Sequence, residues 1–207
     1  MEKSKKCIIA IAGNIASGKS EVEKILKQKG FKTIEADLIG WEILNNKKVK
    51  QKLTSIFGDI LTDGKINRKK LGRIVFSDSE KLNQLDTIVH PMLLRKLKKY
   101  INNSQEKIVV VVAALIFEWG IEDWFDKIVL VVSLKRKRIE RLLRNGLSRE
   151  EANNRIQSQI DDKKVKEKSD FIIENNGTIS ELTKKTLKII KSVCDSNKPK
   201  LPEVSDA

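Results

Sequence analysis

Cys7-Ile8-Ile9-Ala10-Ile11-Ala12 runs straight into Gly13-Asn14-Ile15-Ala16-Ser17-Gly18-Lys19-Ser20, and the reading of this stretch decides the fold. The first six residues form a short apolar run that reads as a buried strand. Ser20–Lys29 carries Val22, Ile25 and Leu26 at helical spacing, and Gly30 stands where a helix favours a glycine just past its end. The eight residues from Gly13 to Ser20 match GxxxxGK[S/T] in the strand–loop–helix context that gives the pattern its meaning. Gly13 and Gly18 permit backbone angles that a side chain forbids, so the loop turns its N–H groups inward as an anion nest. The helix behind it adds its positive end. In such a loop Lys19 reaches the β- and γ-phosphates of a nucleotide such as ATP, and the Ser20 hydroxyl ligates Mg²⁺.

Working outward, Phe31–Ala36, Ile108–Ala114, Lys127–Ser133 and Phe171–Ile173 read as four further strands. The Ile108–Ala114 run is continuous and β-branched, as a parallel strand covered on both faces requires. Strands separated by helices predict an α/β fold of three layers, α/β/α, around a five-stranded parallel sheet of the P-loop NTPase kind. From Leu38 to Lys107 the patterns are helical: Val49–Phe57, Arg68–Phe76, Glu80–Val89 and, after Pro91, Met92–Ile101, with a hairpin turn at Thr62-Asp63-Gly64. This reads as a helical subdomain, about 38–106, inserted into a core of 6–37, 107–134 and 169–195. Together with a helical lid at about 135–168 they form a single domain over 6–195. Residues 196–207 hold two of the three prolines and read as a flexible tail.

Composition narrows the function. With 207 residues, 40% hydrophobic and 34% charged, the chain can build a packed core and is not globally disordered. A formal charge of +14 draws anions, whether nucleic acid, an acidic membrane or phosphorylated small molecules, and does not choose among them. Lysines such as Lys96, Lys98 and Lys99 fall in helical segments and read as a solvated face. The two cysteines, Cys7 and Cys194, form no CxxC pair, which argues against a disulfide framework or a zinc site and fits a reducing compartment. The basic N-terminus precedes an apolar run too short for a signal peptide, and no stretch approaches the roughly 18 apolar residues of a membrane span. A soluble cytoplasmic protein without a membrane partner is expected, working as a monomer or weak homo-oligomer. No nucleic-acid recognition motif or aromatic stacking platform is found, so no specific nucleic-acid partner is expected.

Asp37 follows the second strand. Ligands of open parallel sheets bind at the carboxyl ends of strands, and the same edge receives the phosphate loop. A carboxylate there accepts a hydroxyl proton as the oxygen attacks phosphorus, or positions Mg²⁺ through water. Alternatively it caps a helix over Leu38–Leu44, a role that the neighbouring phosphate loop makes the weaker reading. Glu35 sits at the strand parity of a second metal helper or faces elsewhere. After the fourth strand, Arg138, Arg141 and Arg144 recur every three residues on one helical stripe. Asn145-Gly146 breaks that helix. A polar helix from Ser148 to about Ile160 opens with a capping box made by Ser148 and Glu151. An arginine-bearing helix pair of this kind suits a lid that brings guanidinium donors to a transferring phosphoryl group and excludes water. A solvated helical hairpin or an RNA-binding surface would use the same residues.

The chain resembles the dephospho-coenzyme A kinase family from about Lys6 to Gly177. The specific matches, in order and spacing, are Glu35-Ala36-Asp37, Lys65-Ile66-Asn67-Arg68-Lys69-Lys70-Leu71 with Ile74-Val75-Phe76, and Ile88-Val89-His90-Pro91. Ala114-Leu115-Ile116-Phe117-Glu118 follows, then Arg141 to Arg144 with Ser148, Glu150, Glu151, Ala152, Arg155 and Gln159, then Asp170-Phe171-Ile172-Ile173 with Asn175, Asn176 and Gly177. The resemblance implies ATP-dependent phosphorylation of the ribose 3′-hydroxyl of dephospho-CoA, the last step of coenzyme A synthesis. By the same resemblance Asp37 is the base on that hydroxyl, and Arg144 and Arg141 serve the phosphates. Arg68, His90 and Leu115 are then acceptor contacts. The chain departs from the family pattern at Ala12, at Asn14 and Ala16 in the loop, at Ala113-Ala114, and at Glu35 in place of an aspartate. Another small-molecule P-loop kinase, for a nucleoside, nucleotide or sugar acid, is the alternative. The matches between Lys65 and Pro91 weigh against it. The intact Lys19, Ser20 and Asp37 weigh against a non-catalytic scaffold.

Overall fold

The central strand β1 (Cys7–Ala12) pairs in parallel with β5 (Ile108–Val112) on one side and β6 (Lys127–Val132) on the other. β2 (Lys32–Glu35) and β7 (Phe171–Glu174) complete a parallel five-stranded sheet in the order β2-β5-β1-β6-β7. The computed structural model describes residues 6–196. Of the expected tail, only Ser196 falls among them, and 197–207 lie outside the described residues.

The period of two along β1 sorts its side chains. Ile9 and Ile11 enter one core with Val22, Ile25 and Leu26 of α1 (Lys19–Gln28) and Leu182, Ile190 and Val193 of α9 (Ile179–Ser196). Ala10 and Ala12 enter the other, beneath α2 (Ala36–Leu44), α3 (Lys47–Phe57), α4 (Arg68–Phe76) and α5 (Ser79–Asn103). Coverage of both faces is why β1, β5 and β6 are nearly continuous apolar runs. α1 ends as expected: Lys29 is the C-cap, and Gly30 at φ 83° lets Gly30 N–H reach Lys27 O while Phe31 N–H reaches Leu26 O.

Between α3 and α4, β3 (Leu61–Thr62) and β4 (Lys65–Ile66) form the short hairpin that Asp63-Gly64 predicts, with φ of 49° and 70° at the two turn residues. The break expected at Pro91 does not occur: α5 runs unbroken over 25 residues with Pro91 inside it. An interior proline costs about 3 kcal/mol. Burial of Leu93, Leu97 and Ile101, at about 1.5–3 kcal/mol each, offsets it. Local propensity is therefore overruled by packing against α2, α3 and α4.

After β6 come α6 (Lys135–Arg144), α7 (Arg149–Gln157) and α8 (Asp162–Glu167). Gly146 at φ 82° follows the α6 C-cap, and the Ser148/Glu151 capping box opens α7. α7 stops at Gln157, short of the expected Ile160, and Asp161 caps the separate helix α8. No helix among the described residues is long and apolar enough to cross a membrane.

Candidate functional site

Parallel register brings the carboxyl ends of the strands to one level: Glu35 and Ile11 both lie opposite Val112, Ala12 lies opposite Leu130, and Glu174 opposite Val132. The segments that leave these ends therefore share one edge. The loop after β1 is held from behind. Arg138 Nε donates to Ile15 O at 2.9 Å, and Arg141 Nη1 donates to Ala16 O at 2.8 Å and Ser17 O at 3.1 Å. Asn175, just past β7, donates to Ser17 O at 2.8 Å, and its own carbonyl accepts from Arg141 at 3.1 Å. Ile15 N–H is taken by Gln159 Oε1, and Ser17 N–H by Asn14 O. The N-terminus of α1 carries no side-chain cap, so its first N–H groups are left for an anion.

Both motif glycines are required by space as well as by angle. A Cβ on Gly13 (φ 143°) would meet the Val131 carbonyl, and one on Gly18 (φ 111°) would meet the Asn175 amide. Ala16 occupies the left-handed region at φ 59°. For a residue with a side chain that conformation costs about 1–2 kcal/mol, and the network of α6 and Asn175 holds it.

Lys19 folds back onto the loop, donating to Gly13 O and, at 3.2 Å, to Asn14 O. Burial is the main cause pushing its pKa from 10.5 down to about 8. Asp37 and Glu118 act to raise it, and Arg138 to lower it. These four charges thus form one electrostatic group, with Asp37 in the first turn of α2. The N-cap position of α2 belongs to Glu35, which makes no side-chain cap, so the capping alternative for Asp37 fails.

A cavity of about 750 Å³ opens over this edge. Ile15, Ala16, Gly18, Lys19 and Ser20 line its loop end, with Arg141, Arg144 and Asn175. Asp37, Ala114, Leu115 and Glu118 line its floor, and Phe76, Leu82, Leu85, Asp86 and His90 of α4 and α5 line its far wall. A profile of the family described as dephospho-CoA kinase matches residues 7–181. A dephospho-CoA kinase from Fusobacterium nucleatum is 38% identical, the alignment covering 90% of this chain and 98% of that protein. One from Carboxydothermus hydrogenoformans is 39% identical over 89% of this chain and 93% of its own length. The solved dephospho-CoA kinase from Campylobacter jejuni superposes with a TM-score of 0.67 at 32% identity, covering 92% of this chain and 98% of that one.

The chain belongs to the dephospho-CoA kinase family.

Within this dephospho-CoA kinase family member, the candidate residues divide by position. Gly13, Asn14 and Ser17 are buried behind the cavity wall; the Asn14 amide donates to Ile160 O at 2.9 Å. His90 stands edge-on to Trp119, ring centroids 5.5 Å apart, with Nε2 buried, unbonded and 3.9 Å from Asp86 Oδ1. Arg68 is not brought to the cavity wall. Its guanidinium lies 2.7 Å from the centroid of the Trp41 ring, although the charge of Asp37 still reaches it. Glu35 pairs with Lys27 at 2.7 Å, beside Glu23, and is not among the residues lining the cavity. The arginine stripe splits: Arg138 is buried, Arg141 holds loop carbonyls, and Arg144 alone is exposed at the cavity.

Three residues at the site, matched above only as part of the family pattern, have no role assigned from the sequence. Glu118 lies in the cavity, its pKa raised by burial, and accepts from Ile160 N–H at 3.2 Å. Gln159 Oε1 accepts the loop amide of Ile15 at 2.6 Å. Asn175 is the third. Its signal was its place in the family pattern after the last strand, but its contact with Ser17 follows from the strand order.

Proposed function

We propose that this protein transfers the γ-phosphate of ATP to the ribose 3′-hydroxyl of dephospho-CoA. The observation that carries the reading is the convergence of the phosphate loop and Asp37 in one cavity, walled on its far side by α4 and α5. Lys19 and the loop amides hold the β- and γ-phosphates in place of the Gly13 and Asn14 carbonyls that Lys19 now contacts. Asp37 orients the acceptor hydroxyl and takes its proton as the new O–P bond forms. The bond to the β-phosphate oxygen breaks, and ADP leaves. Arg144 closes over the transferred group. In this reading α2 to α5 form the acceptor subdomain and α6 to α8 the lid, whose closure keeps water from competing as acceptor.

The donor set fits Mg²⁺: the Ser20 hydroxyl, exposed beside the loop, and the carboxylates of Asp37 and Glu118 are all hard oxygen ligands facing the same cavity. When bound there, the ion would neutralise phosphate charge.

A coupled ADP-release assay with ATP and Mg²⁺, with and without dephospho-CoA, tests the reading. Acceptor-dependent ADP release with coenzyme A identified by mass is the expected result. ATP binding without stimulation by dephospho-CoA would defeat the acceptor assignment and call for a screen of nucleosides and sugar acids. Lys19 supplies a second expectation. Its pKa of about 8 without ligand leaves it mostly neutral above that pH, and polyphosphate charge raises the pKa again. ATP binding is therefore expected to take up nearly one proton at about pH 9 and far less at about pH 7. Calorimetry in buffers of different ionisation enthalpy measures this. Zero uptake at both would show that Lys19 does not meet the phosphates.

A further inference from the structure

Arg155 lies on α7 and reaches across to α4, where its Cζ stands 4.9 Å from the centroid of the Phe76 ring. Gly72, in the interior of α4, faces the same guanidinium: a Cβ there would come within 2.8 Å of Arg155 Nη2. A glycine inside a helix is destabilising relative to alanine. Gly72 has no positive φ to justify it, and the space that it leaves is the space that Arg155 fills. The neighbouring carboxylate one turn earlier is already engaged. Glu151 accepts from Arg73 Nε at 2.6 Å and from Ser148 N–H at 2.7 Å. The Arg155 side chain makes no hydrogen bond or ion pair among the described residues, yet it lines the cavity. A guanidinium is thus held in place by packing on α4, with its donors left over.

The other cations of the cavity are committed elsewhere. Lys19 and Arg141 are bonded to loop carbonyls, and Arg144 rides on α6, the helix that braces the phosphate loop. Asp37 and Glu118 on the floor and Asp86 on the far wall are carboxylates, and Arg155, against Phe76, is the single Lys or Arg among the described lining residues of that half. If the 3′-hydroxyl of the acceptor meets Asp37, this half of the cavity is open to its 5′-diphosphate. We propose that Arg155 receives that diphosphate through charge-assisted, two-pronged hydrogen bonds, and so makes the site select a diphosphate-bearing acceptor over a bare nucleoside. This rests on the acceptor reading above.

Initial rates and calorimetric binding for wild type, Arg155→Gln and Gly72→Ala test it, with dephospho-CoA and with adenosine. Arg155→Gln is expected to raise KM and Kd for dephospho-CoA about 10- to 100-fold. Adenosine binding and the KM for ATP should stay within about twofold. Gly72→Ala should shift the same two constants in the same direction by displacing the guanidinium, with the helix itself favoured, so the test survives if Arg155→Gln fails to fold. Wild type that releases no ADP in response to dephospho-CoA overturns the acceptor reading and this inference with it. Wild-type turnover with unchanged dephospho-CoA constants in the variants overturns this inference alone. So does an equal loss of adenosine binding, or a fall in kcat with acceptor KM unchanged, which would place Arg155 on the transferred phosphoryl group.

Discussion

Asp37→Asn is expected to lose about 10²- to 10⁴-fold in kcat while keeping the fold and the affinity for ATP, the loss typical of removing a general base. The side chain is exposed in the first turn of α2 and makes no ion pair or hydrogen bond among the described residues. The substitution removes a favourable interaction with the helix dipole and the longer-range attraction of Asp37 for Lys19 and Arg68, so Tm should stay within about 4 °C of wild type. Lys19 reports the change independently. Asp37 raises its pKa against the effect of burial, so the asparagine variant should show Lys19 titrating lower still. Proton uptake on ATP binding would then begin at lower pH. Turnover close to wild type in Asp37→Asn would sink the base assignment. A large fall in Tm would mean that the carboxylate has a structural role.

Lys19→Ala is expected to cost about 10²- to 10³-fold in kcat, the loss seen when one preorganised donor to developing charge is removed. Its effect on stability should run the other way. The folded pKa of about 8 lies below the ordinary 10.5, so the folded state binds fewer protons than the unfolded state between those values. Wild type therefore gains stability from this group as pH rises from about 8 to 10.5. Below pH 8 the desolvated ammonium works against folding. The alanine variant lacks both the penalty and the gain. Denaturant unfolding should show the variant holding its advantage near pH 7 and losing it as pH approaches 10.5. Equal pH slopes for the two proteins would mean that Lys19 is not desolvated. Unchanged kcat/KM would remove it from the phosphate site. A residue that helps function at the expense of stability is what an active site kept ready for an anion entails.

The stretch from Cys7 to Ser20 determined by itself that a strand, an anion-binding loop and a helix follow one another, because each is encoded by local periodicity and by glycine angles. The apolar runs at Ile108 and Lys127 likewise announced strands buried on both faces, and Asp63-Gly64 announced its hairpin. Their parallel order placed Asp37 at the edge of the phosphate loop in advance of any coordinates. Other features are properties of contacts between distant segments, and only the tertiary structure decided them. α5 continues through Pro91 because its buried face outweighs the proline. Arg138 and Arg141 look like phosphate donors on a helical stripe, but they brace the loop carbonyls because α6 packs behind that loop. Arg68 has a partner 27 residues away in sequence, Trp41, that takes it off the cavity wall. Glu35 and Asp37 are two residues apart and point to different tasks, since the strand ends between them and Lys27 waits on the far side. Periodicity states which face of an element is apolar. Which polar groups meet across elements depends on strand order and helix packing, and a one-dimensional pattern does not carry that information.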